Sequence, residues 1–262
     1  MSQGLTRIRE QVYKDPRPAS YFTRFHERTR TRRPDWVYEA VRVITSLYAW
    51  TFFRARGIAA DNVPPSGAVI LAPNHFSFLD HFFLGAALRR KVHFMAKSQL
   101  FKPPMQWVYT HGGVFPVRRG YRDEEAFTTA HAILARGGCL AMYCEGGRSR
   151  TGRLGDRARP GVGRLALESA ATVVPVAIHG SSHVRNWKRL QFPKVTVRYG
   201  TPLRFERVAA PMREQQQAVA DQIFDEIKAL YGELEAHGRG AVLQRVRAER
   251  RDARRGKRAA AA

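Results

Sequence analysis

The chain has 262 residues with 44% hydrophobic content, which suits one globular α/β domain with extensions rather than two full domains. Its formal net charge of +23 implies a polyanionic partner: a nucleic acid, an anionic membrane surface or a phosphorylated substrate. The two cysteines, Cys139 and Cys144, lie five residues apart without a metal-binding spacing. We therefore expect two buried thiols in a reducing compartment, with no disulfide, no metal site and no cofactor.

Positive charge is concentrated at both ends of the chain. Residues 1–35 carry nine Arg/Lys against four acidic residues (+5), and residues 237–262 carry nine against two (+7), which leaves +11 for the middle. We predict a basic N-terminal arm over 1–35 and a basic C-terminal tail over 237–262. A solvated, frayed helix or a disordered tail is favoured for the latter over a specific nucleic-acid arm.

The N-terminal residues lack the apolar stretch of a secretory signal. The best candidate for membrane contact is the segment 36–61. Its longest uncharged stretch, 43–53, is too short to span about 30 Å of hydrocarbon. A helix here has an apolar face made of Trp36, Val43, Leu47, Tyr48, Trp50, Phe52 and Phe53. A helix packed on the protein's own core is the alternative. The aromatic content and basic flanks favour an interfacial, membrane-docking helix, and hence a peripheral or monotopic protein at the cytoplasmic face of the plasma membrane, bound to an anionic membrane surface.

Residues 62–236 show the alternation that is typical of an α/β domain. Short apolar runs predict strands at 68–74, 91–97, 112–119, 138–147, 173–180 and 195–205. Helical segments are predicted at 79–90, 99–111, 123–137, 159–170 and 213–237. The expected fold is an α/β layered, mostly parallel sheet flanked by helices, in which ligands bind where strands end and helices begin.

The sequence "NHFSFLD" at 74–80 places a histidine and an aspartate at one such corner. If Ser77 opens a helix, Asp80 lies in its first turn and its carboxylate can fold back to the imidazole of His75. The alternative is a capping box, in which Asp80 only binds the backbone of Ser77. The two roles are compatible, because backbone N–H groups and the helix dipole keep Asp80 ionised, and an ionised partner fixes the imidazole tautomer. His75 and Asp80 are therefore our candidate catalytic pair.

Other predicted strand ends carry cations and glycines. "FMAKSQ" presents Lys97, "VFPVRRG" presents Arg118, and "CEGGRSRTG" presents Glu145, Arg148 and Arg150. Glycines let backbone N–H groups approach an anion, and guanidinium groups match phosphate oxygens. The pattern predicts a phosphate site beside a general base, although Arg118 or Arg150 taken singly is also compatible with an ordinary surface charge.

Four blocks, "NHFSFLD", "GGVFPVRR", "EGGRSR" and "VVPVAIHG", follow one another over about residues 62–205. In this order they resemble the motif blocks of the glycerolipid acyltransferases, in particular the lysophosphatidic acid acyltransferases. The resemblance implies His75 and Asp80 as the catalytic centre. It also implies acyl transfer from acyl-CoA or an acyl carrier protein to the free hydroxyl of a lysophospholipid acceptor, giving phosphatidic acid from lysophosphatidic acid. The substrate-binding residues that it implies are Asn74, Lys97, Arg118, Glu145, Gly146, Gly147, Arg148 and Pro175.

In the mechanism implied by the resemblance, His75 removes the hydroxyl proton and Asp80 holds the imidazole, while Lys97, Arg118 and Arg148 hold the phosphate.

Two positions depart from the family pattern. Gly147 stands where the family usually has Thr, and Gln99 stands where an acidic residue often follows the lysine. Glycerol-3-phosphate and other lysolipids therefore remain alternative acceptors. A non-enzymatic basic protein that binds anionic lipid or nucleic acid is the alternative of a different class. The enzyme is favoured over nucleic-acid binding by the joint presence of four residues: His75, Asp80, Arg118 and Glu145.

Overall fold

The computed structural model of the protein describes residues 14–121, 123–149, 151–184 and 192–260. The helices are α1 (Ser20–Thr31), α2 (Trp36–Phe53), α3 (Asp80–Ala86), α4 (Met105–His111), α5 (Glu124–Ala135), α6 (Gly161–Ser169) and α7 (Arg213–Ala260). The strands are β1 (Arg56–Ile58), β2 (Val69–Pro73), β3 (Val92–Lys97), β4 (Val114–Val117), β5 (Cys139–Ala141), β6 (Thr172–His179) and β7 (Thr196–Tyr199).

The seven strands form one sheet in the order β1-β7-β6-β2-β5-β3-β4. Every neighbouring pair is parallel except β6 and β7, which confirms the predicted mostly parallel sheet flanked by helices. The central strand β2 is buried along its whole length. Buried parallel strands have helices on both faces, which explains why this strand has the continuous apolar sequence "VILAP".

The two faces of the sheet carry different helices. Alternate side chains of β2 divide between them, because successive residues of a strand point to opposite faces. Val69 and Leu71 pack with the end of α2 and with α3. Ile70 and Ala72 pack with α5, α6 and the first part of α7. The predicted thiols are buried and free, with Cys139 in the first cluster and Cys144 in the second.

Helix α2 is present at the predicted place, with the Asp35 side chain accepting a hydrogen bond from the backbone N–H of Val37 at its start. Residues 56–58 of the segment predicted as helix form strand β1 instead, which pairs with β7. Phe53 is also placed differently from the prediction. It is fully buried against Phe83, so it belongs to the core and not to the exposed apolar face. Within the described ranges, no helix is long and apolar enough to cross a membrane.

Both basic ends of the chain carry helices that pack on the body. The part of the predicted arm over residues 1–13 lies outside the described residues, and α1 packs through Phe22 and Phe25. Helix α7 is interrupted at Gly238, where φ is 70°, and continues into the predicted tail. Val242 and Val246 of this second part are buried, so the tail is helical and packed rather than wholly solvated.

Candidate active site

The predicted site residues follow neighbouring strands at one edge of the sheet. His75 follows β2, Glu145 follows β5, Lys97 ends β3 and Arg118 follows β4. These strands are adjacent in the order β2-β5-β3-β4. Because neighbouring strands lie about 4.8 Å apart, the ends of β3 and β4 are roughly 10 and 14 Å from the end of β2. The topology therefore gathers a histidine, a carboxylate and two cations at the carboxyl edge.

Asp80 holds the corner between β2 and α3 through one carboxylate oxygen. Its Oδ2 accepts hydrogen bonds from His75 Nδ1 at 2.9 Å, from the backbone N–H of Phe76 at 2.7 Å and from that of Ser77 at 2.8 Å. Helix α3 begins at Asp80 itself, three residues after the predicted opening at Ser77. Because Oδ2 of this buried carboxylate also accepts from two backbone N–H groups, it is the acceptor in its contact with Nδ1. Nδ1 of His75 therefore carries the proton, and Nε2 is left as the basic nitrogen.

Tyr143 is a part of the site that the sequence analysis missed. Its ring stacks on the imidazole of His75, with ring centroids 3.9 Å apart and planes 23° apart. The phenol oxygen is buried and has no hydrogen-bond partner among the described residues. Burial raises the pKa of Tyr143 well above its usual value, so the phenol stays protonated. The stacking fixes the plane of the imidazole. The only signal of this role in the sequence is an aromatic residue two positions before Glu145, just after a buried strand.

Glu145 attaches the following loop to the histidine corner. Its Oε2 accepts a hydrogen bond from the backbone N–H of His75 at 2.9 Å, and its Oε1 accepts one from the N–H of Gly155 at 3.1 Å. The N–H of Ser149 donates back to the carbonyl oxygen of His75 at 2.8 Å. Burial raises the pKa of Glu145 above its usual value. These contacts are internal, and a contact of Glu145 with substrate stays a prediction.

The two glycines after Glu145 have separate structural reasons. Gly146 has φ of +66°, which a side chain disfavours, and a Cβ there would lie 3.0 Å from Cγ of Arg159. A Cβ at Gly147 would lie 3.4 Å from Nη1 of Arg119. The glycine that replaces the family's usual Thr therefore lies where a guanidinium approaches the backbone of this loop.

Asn74 and Pro175 belong to the scaffold beneath the site. Asn74 is buried; its Nδ2 donates to the carbonyl of Ile178 at 3.1 Å, and its Oδ1 accepts from the N–H of the same residue at 2.7 Å. These bonds join the end of β2 to β6. Pro175 is buried in β6, and its carbonyl accepts a hydrogen bond from the N–H of Gly200 at 2.8 Å. A direct contact with substrate stays a prediction for both residues.

The predicted phosphate-binding cations differ in their surroundings. Arg118 lies over the ring of Tyr121, 4.3 Å from its centroid, and donates through Nη2 to the carbonyl of Arg17 at 3.3 Å. Its Nε is buried with no hydrogen-bond partner within the described part of the chain. Lys97 is half-buried, whereas Arg148 is exposed. Arg150, also singled out in the sequence, lies outside the described residues.

An open cavity of about 520 Å³ adjoins the histidine corner. It is formed by the loop that begins at Glu145 and by the starts of α6 and α7. Five of its lining residues are arginines: Arg148, Arg153, Arg157, Arg159 and Arg213. We call it the arginine cavity.

Comparisons with known proteins find acyltransferases among the proteins that resemble this chain. Residues 56–179 match the family model described as "Acyltransferase". The glycerol-3-phosphate acyltransferase of Pseudomonas putida (strain W619) is 28% identical over 149 residues, which cover 51% of this chain and 18% of the relative. That of Aeromonas hydrophila is 27% identical over 176 residues, which cover 57% of this chain and 21% of the relative. The chain thus spans about a fifth of the length of the curated relatives that it matches.

The fold has a counterpart among crystal structures. The 1-acyl-sn-glycerophosphate (LPA) acyltransferase PlsC from Thermotoga maritima matches with a TM-score of 0.61 over 83% of this chain and 90% of that chain, at 20% identity. This likeness establishes a shared fold. The match over residues 56–179 and the curated relatives support a glycerolipid acyltransferase family for this chain.

Proposed function

We propose that the protein transfers an acyl group from acyl-CoA or acyl carrier protein to the free hydroxyl of lysophosphatidic acid, giving phosphatidic acid. The observation that carries this proposal is the hydrogen bond between His75 Nδ1 and Asp80 Oδ2 at the carboxyl edge of the sheet. Lys97 and Arg118 at the ends of neighbouring strands supply positive charge for the acceptor phosphate, and Arg148 supplies more from the loop after β5.

The proposed chemistry follows from the protonation state of the pair. Nε2 of His75 removes the hydroxyl proton of the acceptor as the oxygen attacks the thioester carbon. The carbon–sulfur bond of the tetrahedral intermediate then breaks, and the imidazolium returns its proton to the departing thiolate. The products are an ester and a free thiol, and no side chain becomes acylated. Asp80 stabilises the imidazolium during the reaction.

An acceptor that resides in a membrane is supported by exposed apolar side chains on α2, on α4 and in the turn before α3. Phe78, in the turn between His75 and Asp80, is 52% exposed. The exposed rings of Trp36 on α2 and Trp107 on α4 have centroids 6.3 Å apart, so the apolar surfaces of these helices are continuous. A lysophospholipid keeps its acyl chain in the bilayer, whereas glycerol-3-phosphate is soluble in water. The same surface supports peripheral docking, for which we propose the cytoplasmic face of the plasma membrane.

Glycerol-3-phosphate is the second candidate acceptor. The curated relatives from Pseudomonas putida and Aeromonas hydrophila are both named glycerol-3-phosphate acyltransferases. Gly147 and Gln99, where the sequence departs from the family pattern, keep the headgroup specificity open.

The test is an acceptor screen with purified protein, in which the release of coenzyme A from acyl-CoA is followed with a thiol reagent. Lysophosphatidic acid should give the higher kcat/KM, with phosphatidic acid as the product by mass spectrometry. A higher kcat/KM with glycerol-3-phosphate would replace the proposed acceptor. If neither acceptor reacts with acyl-CoA or with an acyl carrier protein, the enzymatic proposal is wrong, and the basic lipid-binding protein takes its place.

A further inference from the structure

We propose that the arginine cavity binds the 3′-phosphoadenosine diphosphate part of acyl-coenzyme A. The inference rests on the proposed acyltransferase function and assigns the donor to the coenzyme A class. The cavity volume of about 520 Å³ falls in the range of pockets for small molecules. The nucleotide part of the donor carries three phosphate groups, which match a cavity lined by guanidinium groups.

The charge of the cavity is largely uncompensated by the protein. Arg157 pairs with Asp221 at 3.0 Å. The guanidinium groups of the other four arginines make no hydrogen bond or ion pair with any described residue; they are those of Arg148, Arg153, Arg159 and Arg213. Glu145 also lines the cavity, but its two oxygens accept hydrogen bonds from backbone N–H groups. Several guanidinium groups around one cavity repel one another, and a bound polyanion relieves this repulsion.

Two helix starts add to the positive potential. Pro160 lines the cavity and immediately precedes α6, whose first turn has no side-chain cap. Arg213 lines it as well and is the first residue of α7. The first N–H groups of a helix lack partners within the helix, and the helix dipole favours an anion at this end. The backbone therefore supports the same ligand chemistry as the arginine side chains.

The position of the cavity favours a water-soluble phosphate ligand over a lipid headgroup. Its walls belong to α6 and α7, which pack on the face of the sheet opposite to that of α3 and the end of α2. The exposed apolar surface is on α2 and α4, and the α6–α7 face of the sheet carries no comparable run of exposed large apolar residues among the described ones. The soluble end of acyl-coenzyme A suits this side of the molecule.

The cavity also connects directly to the reacting centre. Glu145 and Ser149 line it, and both are hydrogen-bonded to the backbone of His75. When the nucleotide is bound in the cavity, the pantetheine arm can extend along this loop. It then places the thioester at Nε2 of His75. We assign the nucleotide to Arg153, Arg159 and Arg213, because Arg148 is assigned to the acceptor phosphate.

The first experiment measures binding without turnover. Adenosine 3′,5′-bisphosphate is titrated by calorimetry into the wild-type protein and into Arg153→Ala, Arg213→Ala and the double variant. Neither side chain has a partner among the described residues, so folding should be retained, which circular dichroism checks. Each substitution removes a charge-assisted contact, so Kd should rise about tenfold for each single variant and further for the double variant. The control is Arg204→Ala, which should leave Kd unchanged. Arg204 is exposed and lies at the opposite edge of the sheet, because the preceding residue, Leu203, bridges to the start of β6.

The second experiment compares two donors. The double variant should raise KM for acyl-CoA, leave KM for lysophosphatidic acid unchanged, and have no effect on S-acyl-pantetheine, which lacks the nucleotide. An equal effect on both donors, a larger effect on the acceptor, or an effect on acyl carrier protein alone would overturn the proposal. So would wild-type protein that binds adenosine 3′,5′-bisphosphate no more tightly than the double variant does. If binding responds as expected but no donor supports turnover, the nucleotide site stands and the proposed acyl transfer falls.

Discussion

Asp80 makes two kinds of contact that the sequence presented as alternatives. The capping contact is real, since the N–H of Ser77 donates to its carboxylate, and the contact with the imidazole of His75 uses the same Oδ2 atom. The backbone donors show that Oδ2 acts as an acceptor, and this acceptor orients the imidazole through Nδ1–H. A five-residue spacing thus becomes one hydrogen bond because the chain turns from β2 into α3 between the two residues.

Replacing His75 tests the general base. His75→Ala should lower kcat by roughly 10² to 10⁴ and leave the binding of lysophosphatidic acid largely intact, because it removes the group that takes the proton. The matched control is His131→Ala. His131 is also paired with a carboxylate, Glu168, at 2.7 Å, but this pair lies between α5 and α6. His131→Ala should keep full activity. Retention of more than about a tenth of the activity by folded His75→Ala would exclude the general-base role.

Replacing Tyr143 separates the ring from the hydroxyl. Tyr143→Phe keeps the stacking on His75 and removes a buried hydroxyl without a partner, so it should change kcat little and the free energy of unfolding by less than about 1 kcal/mol. Tyr143→Ala removes the stacked ring and should lower kcat more than it raises KM, because the imidazole loses its fixed plane. Its cost in unfolding free energy should be about 3–5 kcal/mol. Steady-state kinetics and urea unfolding provide the two measurements. Equal loss of kcat in both variants would assign a role to the hydroxyl.

At the scale of elements, the long apolar runs were predictable and the short or composite features were not. Strand β2 was evident because a strand buried on both faces needs a continuous apolar sequence. Strand β1 has three residues, "RGI", and its pairing with β7 is a tertiary contact with no local signal. The stacking of Tyr143 likewise depends on the adjacency of β2 and β5. The arginine cavity was missed although four of its arginines lie within residues 148–159, because the fifth, Arg213, joins them only where α6 and α7 pack.

We predict that the protein docks on membranes through helix α2. Trp36 and Trp50 are 69% and 52% exposed, so both can enter the interfacial region of a bilayer. Liposomes with anionic lipid should sediment the protein, and high salt should weaken the association, since each basic residue near the surface contributes about 1 kcal/mol. Trp36→Glu combined with Trp50→Glu should weaken binding at every salt concentration.

The control for docking is Met212→Glu, which places one Glu at an exposed apolar residue just before α7. It should sediment like the wild-type protein. Equal sedimentation with purely zwitterionic liposomes, or an unaffected double Trp variant, would contradict docking through α2.

At the scale of the whole molecule, apolar and basic surfaces occupy different sides. The exposed aromatic and aliphatic side chains are on α2 and α4, and the uncompensated arginines of the cavity are beside α6 and α7. The net charge of +23 therefore does not serve a single extended surface. Part of it lines the arginine cavity. For the proposed reaction this separation is favourable, because one substrate resides in a membrane and the other is soluble.

Buried histidines make the stability of the fold depend on pH. Burial lowers the pKa of His26 and of His93 to about 4. The folded pKa lies below the unfolded value of about 6.5, so the unfolded chain takes up protons first as the pH falls. The stabilisation is fully present above pH 6.5 and is lost progressively towards pH 4. Each histidine should therefore lower the free energy of unfolding by about 2 kcal/mol between pH 7.5 and pH 5.

Urea unfolding at the two pH values measures this loss, and His26→Gln tests its origin. The side chain of His26 is buried, and its Nδ1 lies 2.9 Å from Oγ1 of Thr129, a hydrogen bond that the amide of Gln can replace. Because Gln does not titrate, His26→Gln should lose about 2 kcal/mol less than the wild-type protein between pH 7.5 and pH 5. His237→Gln removes an exposed histidine and should keep the wild-type difference.

Asp15 does not interfere, since hydrogen bonds from Arg17 lower its pKa, and its contribution is lost only below its ordinary value of 3.8. Burial raises the pKa of Glu145, so this carboxyl binds its proton more readily in the folded state and opposes the loss, equally in the wild-type protein and both variants. A wild-type protein whose unfolding free energy falls no more steeply than that of His26→Gln would show that the pKa of His26 is not lowered in the folded state.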